Sequence, residues 1–178
     1  MAQQIDLTEA SVYVGTYLKY NEGSIFGKWL KLSDYSDRQE FYTACRELHK
    51  DEEDPEFMFQ DYENIPNGLI SECSISDNIF EILEAFENMD ENQKEPFLTW
   101  CNNDHYNLAD EDIDDLINSF ESDYIGQYDS EEDFARELVE ERNDLTDFAK
   151  QYFDYEAYAN DLFCGDYWSN DGYVFYNS

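Results

Sequence analysis

Hydrophobic positions along this chain alternate between an extended and a helical period. Val12 to Leu18 is rich in Val and Tyr, Asn21-Glu22-Gly23 supplies turn chemistry, and Phe26 to Leu32 is extended again, which predicts a β-hairpin or meander. From Asp37 to His49 the apolar residues Phe41, Tyr42, Cys45 and Leu48 take helical spacing, with Ser36 placed to cap the N-terminus. Pro55 ends that helical stretch, and Glu56 to Tyr62, carrying Phe57, Met58 and Phe59, returns to the sheet. A small α+β unit therefore closes near Glu63.

Asn64 to Asn67, containing Pro66 and followed by Gly68, reads as a linker. Beyond it Ile79, Ile82, Leu83 and Phe86 form one helical face behind Ser76 as the N-cap, while Asp77, Glu81, Glu84 and Asn88 run down another. A second helix spans Glu91 to Cys101, with Pro96 inside it. Asp110 to Phe120 repeats the design, with Ile113, Leu116, Ile117 and Phe120 inward and Asp110, Asp114, Asp115 and Glu121 around the other side. A third stripe lies on Ser130 to Arg142. There Ser130 and Asp133 resemble a capping box, Phe134, Ala135 and Leu138 face in, and Glu132, Glu137, Glu140 and Glu141 face out. Asp154 caps a short helix through Leu162, and Asn170-Asp171-Gly172 joins two closing strands, Tyr167 to Ser169 and Tyr173 to Tyr176. The pattern predicts an α+β fold with small antiparallel sheets and helices at both ends and a helical middle. Its segments are residues 1–63, 64–104 and 105–178.

Composition sharpens this picture through charge. Forty-four Asp and Glu oppose ten Lys and Arg, a formal charge of -34 in 178 residues. Residues 1–32 are net 0, 33–63 net -8, 64–104 net -8, 105–150 net -13 and 151–178 net -5. Acidic disordered chains are poor in aromatics, whereas thirteen Phe, fifteen Tyr and three Trp are spread through this one. It is expected to fold. The start, MAQQIDLTEASVYVG, has neither a cationic leader nor an apolar h-region, and no run approaches the roughly 18 apolar residues of a membrane span. Cys45, Cys73, Cys101 and Cys164 are far apart with no CxxC pair, which predicts reduced, mostly buried thiols. A soluble, cytoplasmic protein is expected.

Catalytic and metal chemistry have little to build on. Asp110-x-Asp112-x-Asp114 with Glu121 copies the carboxylate spacing of an EF-hand loop, but Asp115 stands where that loop needs Gly. Asp129, Glu131, Asp133 and Glu140 copy it more weakly. His49 and His105 are the two histidines, and Cys101 with His105 at i, i+4 is the one hint of a nucleophile and base. No orienting group, phosphate loop or histidine pair accompanies it. The expectation is a protein with no cofactor, no metal and no catalytic residues.

So much like charge costs a compact domain stability through self-repulsion, which points to a basic partner. B-form DNA carries one charge per about 1.7 Å of axis, so 34 charges correspond to roughly 58 Å, or about 17 base pairs. Helical carboxylates repeat about every 5.4 Å along a stripe. Asp77, Glu81, Glu84, Asp110, Asp114, Asp115, Glu121, Glu132, Glu137, Glu140 and Glu141 are the candidates for a surface that imitates a phosphate ladder. It would compete for the Lys and Arg of a DNA-binding cleft without chemistry and without base readout.

Two stretches carry a closer likeness. Tyr13-Val14-Gly15-Thr16-Tyr17-Leu18-Lys19-Tyr20-Asn21-Glu22-Gly23-Ser24-Ile25 with Gly27-Lys28-Trp29-Leu30, and Leu48-His49-Lys50-Asp51-Glu52-Glu53-Asp54-Pro55-Glu56-Phe57-Met58-Phe59-Gln60-Asp61-Tyr62-Glu63, resemble the ArdA antirestriction family. Tyr152-Phe153-Asp154-Tyr155-Glu156-Ala157-Tyr158-Ala159-Asn160-Asp161-Leu162 with Gly165-Asp166-Tyr167 resembles that family's closing segment. The resemblance runs from about residue 12 to residue 176. It implies a DNA mimic that occupies the DNA-binding groove of type I restriction-modification enzymes and protects incoming mobile DNA. It also implies an elongated chain of three small domains and a homodimer formed through the C-terminal one, binding neither nucleic acid nor membrane itself. Two rivals from other classes stay open at this level: an acidic chaperone of basic proteins, and a halophilic-type domain whose charge serves hydration.

Overall fold

The computed structural model describes residues 5–103 and 107–177. They form two compact units, one ending at Leu116 and one beginning at Ile117. Both are α+β, each built on a three-stranded antiparallel sheet.

The first unit opens with a short 3-10 turn, Leu7–Glu9, and then β1 (Ser11–Thr16), α1 (Tyr17–Asn21), β2 (Lys28–Lys31), a second 3-10 turn at Leu32–Asp34, α2 (Arg38–Leu48) and β3 (Phe57–Glu63). The sheet order is β2-β1-β3. β1 and β2 pair antiparallel, as the hairpin or meander reading expects, but the first strand stops before Leu18: Thr16 ends it by capping a helical turn, its hydroxyl accepting from the Lys19 amide. Pairing sets Val12 opposite Leu30 and Val14 opposite Phe59, so one face is apolar and buried. A bulge between Tyr13 and Val14 shifts the β3 register by one residue. Phe41 of α2 covers that face, its ring 6.0 Å from Phe59 and 5.7 Å from Tyr35. Gly27 permits the close return of the chain, since a Cβ there would sit 2.5 Å from the Val14 carbonyl oxygen.

The α2 cap is Asp37, whose carboxylate accepts from the Glu40 amide, and not Ser36. Ser36 has the reciprocal role: its amide and hydroxyl both donate to the Glu40 carboxylate. These two bonds hold the Glu40 carboxyl below its ordinary pKa. The predicted linker is packed, because Ile65, Pro66 and Leu69 are buried and the Asn64 side chain accepts from the Asp6 amide.

The rest of the first unit is helical, with α3 (Ile79–Asn88), α4 (Glu91–Cys101) and the start of α5 (Ile113–Asp123). Ser76 does not cap α3. Asn78 occupies the cap position, and its side-chain amide instead donates to the carbonyls of Leu108 and Glu111. Ile79, Ile82 and Phe86 are buried as their spacing predicts, and Phe80 reaches Phe41 at 6.3 Å. Pro96 lies inside α4 and is itself buried.

The second unit holds β4 (Tyr124–Gln127), α6 (Glu131–Glu140), α7 (Asp147–Gln151), α8 (Tyr155–Leu162), β5 (Tyr167–Asn170) and β6 (Tyr173–Tyr176), with sheet order β4-β6-β5. Ser130 caps α6 and Asp154 caps α8, as predicted. Phe134, Ala135, Ala159, Leu162 and Val174 form the core between these helices and the sheet, and Tyr128 and Tyr167 each meet the Phe134 ring at 5.0 Å. On the other side of β6, Phe175 stacks on Trp168 at 4.2 Å and meets Tyr124 at 5.5 Å. The β5–β6 turn has positive φ at both Asp171 and Gly172, the two-residue geometry that matches strand twist.

Candidate functional site

Carboxylates reach the surface because apolar spacing commits the other side of each element to the core. All but three of the described Asp and Glu residues are exposed: Asp123 is buried, and Glu52 and Glu132 are partly so. In the first unit Glu81 and Glu84 occupy the outer side of α3, one turn apart. Asp77 lies before the helix and is neutralised by Arg38, which contacts its carboxylate at 2.5 Å. The expected helical stripe from Asp110 to Phe120 starts later than its spacing predicts. Asp112 accepts from the Asp114 amide through its carboxylate and from the Leu116 amide through its carbonyl, so the helix begins at Ile113. Asp110 is therefore in a turn, bonded by the Asn107 side-chain amide, while Asp114 and Asp115 occupy the first helical turn, where the helix dipole favours them.

In the second unit Glu121 is exposed on α5, and α6 carries the densest group. Glu137 and Glu140 lie three residues apart, and Glu141 follows as the C-cap. Glu132 is paired with Arg136 at 2.7 Å. The Tyr128 hydroxyl donates to Glu137 at 3.3 Å, and burial, followed by that carboxylate, raises the tyrosine's pKa. Sequence spacing brings together Glu81 with Glu84, Asp114 with Asp115, and the α6 trio. It does not single out Glu87, exposed three residues after Glu84, although the i, i+3 relation was the available signal.

One polar cluster is partly buried. The Lys19 ammonium donates to His49 Nδ1 at 2.9 Å and to Asp51 at 2.9 Å, and contacts Glu52 at 3.0 Å. An ammonium can only donate, so His49 carries its proton on Nε2 and gives it to the Val14 carbonyl. Burial works against the Lys19 charge, but the bonds to Asp51 and Glu52 outweigh it and hold its pKa above the ordinary value. Desolvation likewise opposes the Glu52 charge, and hydrogen bonds from Thr16 and Lys19 bring its pKa below normal. The cluster ties α1 to the loop after α2; its groups are satisfied by one another, as a structural network requires.

Cys45 and Cys101 are buried, but Cys73 and Cys164 are exposed, so the thiols are not mostly buried as predicted. Burial pushes the Cys45 thiol up to about 12 and raises Cys101 as well, which keeps both from acting as nucleophiles. The Cys101–His105 spacing lies outside the described residues at its histidine. No group of three or more metal-ligating side chains comes together among the described residues, and none of their helices is long and apolar enough to cross a membrane.

A search of curated proteins finds no match. The model of the family described as antirestriction protein (ArdA) matches residues 12–175, nearly the whole chain and within one residue of the span of the sequence resemblance. A charged α+β chain whose two end blocks and intervening pattern all fall within that match belongs to the ArdA antirestriction family.

Proposed function

We propose that the chain carries out antirestriction, the function its family membership implies, as a DNA mimic. Its acidic surface occupies the DNA-binding groove of the methyltransferase core of a type I restriction-modification enzyme. The observation that carries this reading is the disposition of the acids in a chain of charge -34: about half of the described Asp and Glu sit on helices, strands or 3-10 turns, nearly all are exposed, and few are neutralised. Glu81, Glu84, Asp114, Asp115, Glu121, Glu140 and Glu141 make no ion pair among the described residues, so their fields are available to a basic cleft. Carboxylates already fixed on helices lose less entropy on binding than those of a flexible tail. The inhibitor has no chemistry of its own in this scheme, and it works in the cytoplasm as a homodimer joined through its C-terminal part, which would extend the polyanion beyond the length of one chain.

The test is cleavage of unmodified plasmid DNA by a purified type I enzyme at increasing concentrations of the protein. Inhibition at near-stoichiometric concentrations, with poly-glutamate of equal total charge inactive, is the expected result. Inhibition equalled by poly-glutamate would reduce the effect to bulk charge.

A further inference from the structure

We propose that a groove in the first unit, between the two 3-10 turns and α3, is a docking site for an arginine side chain of a basic protein. The reading above enters only in naming that protein as the inhibited enzyme. The groove has a volume of about 310 Å³. Its floor is apolar, made by the buried residues Leu7, Leu32 and Phe80. Leu83 forms a wall. Its spacing puts it on the inward face of α3 with Ile79, Ile82 and Phe86, yet those three are buried and Leu83 stays partly exposed because it faces this groove.

The rim is polar and acidic. Glu84 and Glu87 line it from α3, neither has an ion pair among the described residues, and Ser33 and Tyr35 add hydroxyls opposite them. No Lys or Arg lines it. Arginine matches both halves: its aliphatic stem covers apolar wall, and its planar guanidinium offers five donors to carboxylates and hydroxyls. A lysine offers a point charge with three donors and a shorter reach across the rim. A purely apolar side chain would desolvate Glu84 and Glu87 without supplying a donor. DNA is disfavoured, since its phosphates would face those same carboxylates. The site thus adds a contact that a duplex does not make, and with it selectivity for a cleft that can present an arginine there.

The experiment is an NMR titration of the full chain with N-acetyl-arginine amide and with N-acetyl-citrulline amide, which keeps the shape and removes the charge. Shifts centred on the methyls of Leu7, Leu32 and Leu83, with arginine bound several-fold more tightly than citrulline, are expected. Glu84→Gln with Glu87→Gln should weaken arginine about fivefold and leave citrulline unchanged, the size expected for two exposed charge contacts. Glu140→Gln with Glu141→Gln, which belong to the second unit and do not line the groove, should change neither. Equal affinity for the two amides, or an equal loss from the second-unit pair, would overturn the site. Neither probe involves an enzyme, so that failure would leave the decoy mechanism standing, whereas loss of the decoy mechanism would leave the probe binding intact.

Discussion

Replacing Glu137, Glu140 and Glu141 by Gln should move stability and inhibition in opposite directions. Glu137 has like-charged neighbours at i+3 and i+4, and Glu140 and Glu141 lie at the C-terminal end of α6. Each such like-charge pair costs roughly 0.2–0.5 kcal/mol, and each carboxylate at a helix C-terminus roughly 0.3–1 kcal/mol. Neutralising all three should therefore stabilise the second unit by about 1–3 kcal/mol, a rise of several degrees in Tm. The Gln side-chain oxygen still accepts from Tyr128, so no buried donor is stranded. Against a basic groove the same groups are favourable. Three exposed charge contacts of roughly 0.2–1 kcal/mol each predict inhibition weaker by about 3- to 150-fold. Calorimetry and the cleavage assay on the same preparations read the two signs. Unchanged inhibition would refute the role given to α6, and a fall in both quantities would mean that the acids serve folding.

Three further outcomes follow from the packing. Thiol labelling of the native protein should modify Cys73 and Cys164 at once and reach Cys45 and Cys101 only on unfolding, as judged by mass spectrometry. Lys19→Met should cost about 3 kcal/mol in a urea melt, because it leaves Glu52, 8% exposed at its side chain, without its cation. In the parent the depressed Asp51 and Glu52 contribute stability that is present above the ordinary carboxylate range and lost as pH falls through their lowered pKa values. The raised Lys19 contribution is lost only as pH climbs past its own pKa, so acid melts of the variant should be flatter than the parent's. Gly172→Ala should destabilise by about 1–3 kcal/mol, since its φ is +84° and a Cβ would sit 2.9 Å from the Tyr128 carbonyl oxygen; a circular-dichroism melt within 0.5 kcal/mol of the parent would contradict the turn geometry.

Helices with a strong apolar period were legible: α2, α3 and α6 begin and end within a few residues of where their spacing puts them, and α4 keeps its expected bounds, Glu91 to Cys101, although its apolar period is weak. Closing strands flanking Asp171-Gly172 were legible too, because both positions must adopt positive φ. What escaped were elements specified by neighbours. Residues 124–127 pair with β6 as an edge strand that shows no alternation of its own, and α7 buries none of its five residues. Caps were ambiguous wherever two polar residues were adjacent. Ser36 lost to Asp37 because the carboxylate of Asp37 reaches the Glu40 amide, while Ser36 serves better as donor to Glu40. Of the acidic candidates, spacing correctly set Glu81, Glu84, Glu137 and Glu140 outward, but it could not foresee Arg38 neutralising Asp77, a pairing made between elements far apart in sequence.

The most direct test of the DNA-mimic claim is binding of the purified protein to a type I methyltransferase core, with and without competing duplex DNA, across a salt series. The account predicts that protein and duplex exclude one another and that the complex weakens steeply as salt rises. A ternary complex holding both, or an affinity indifferent to salt, would contradict it.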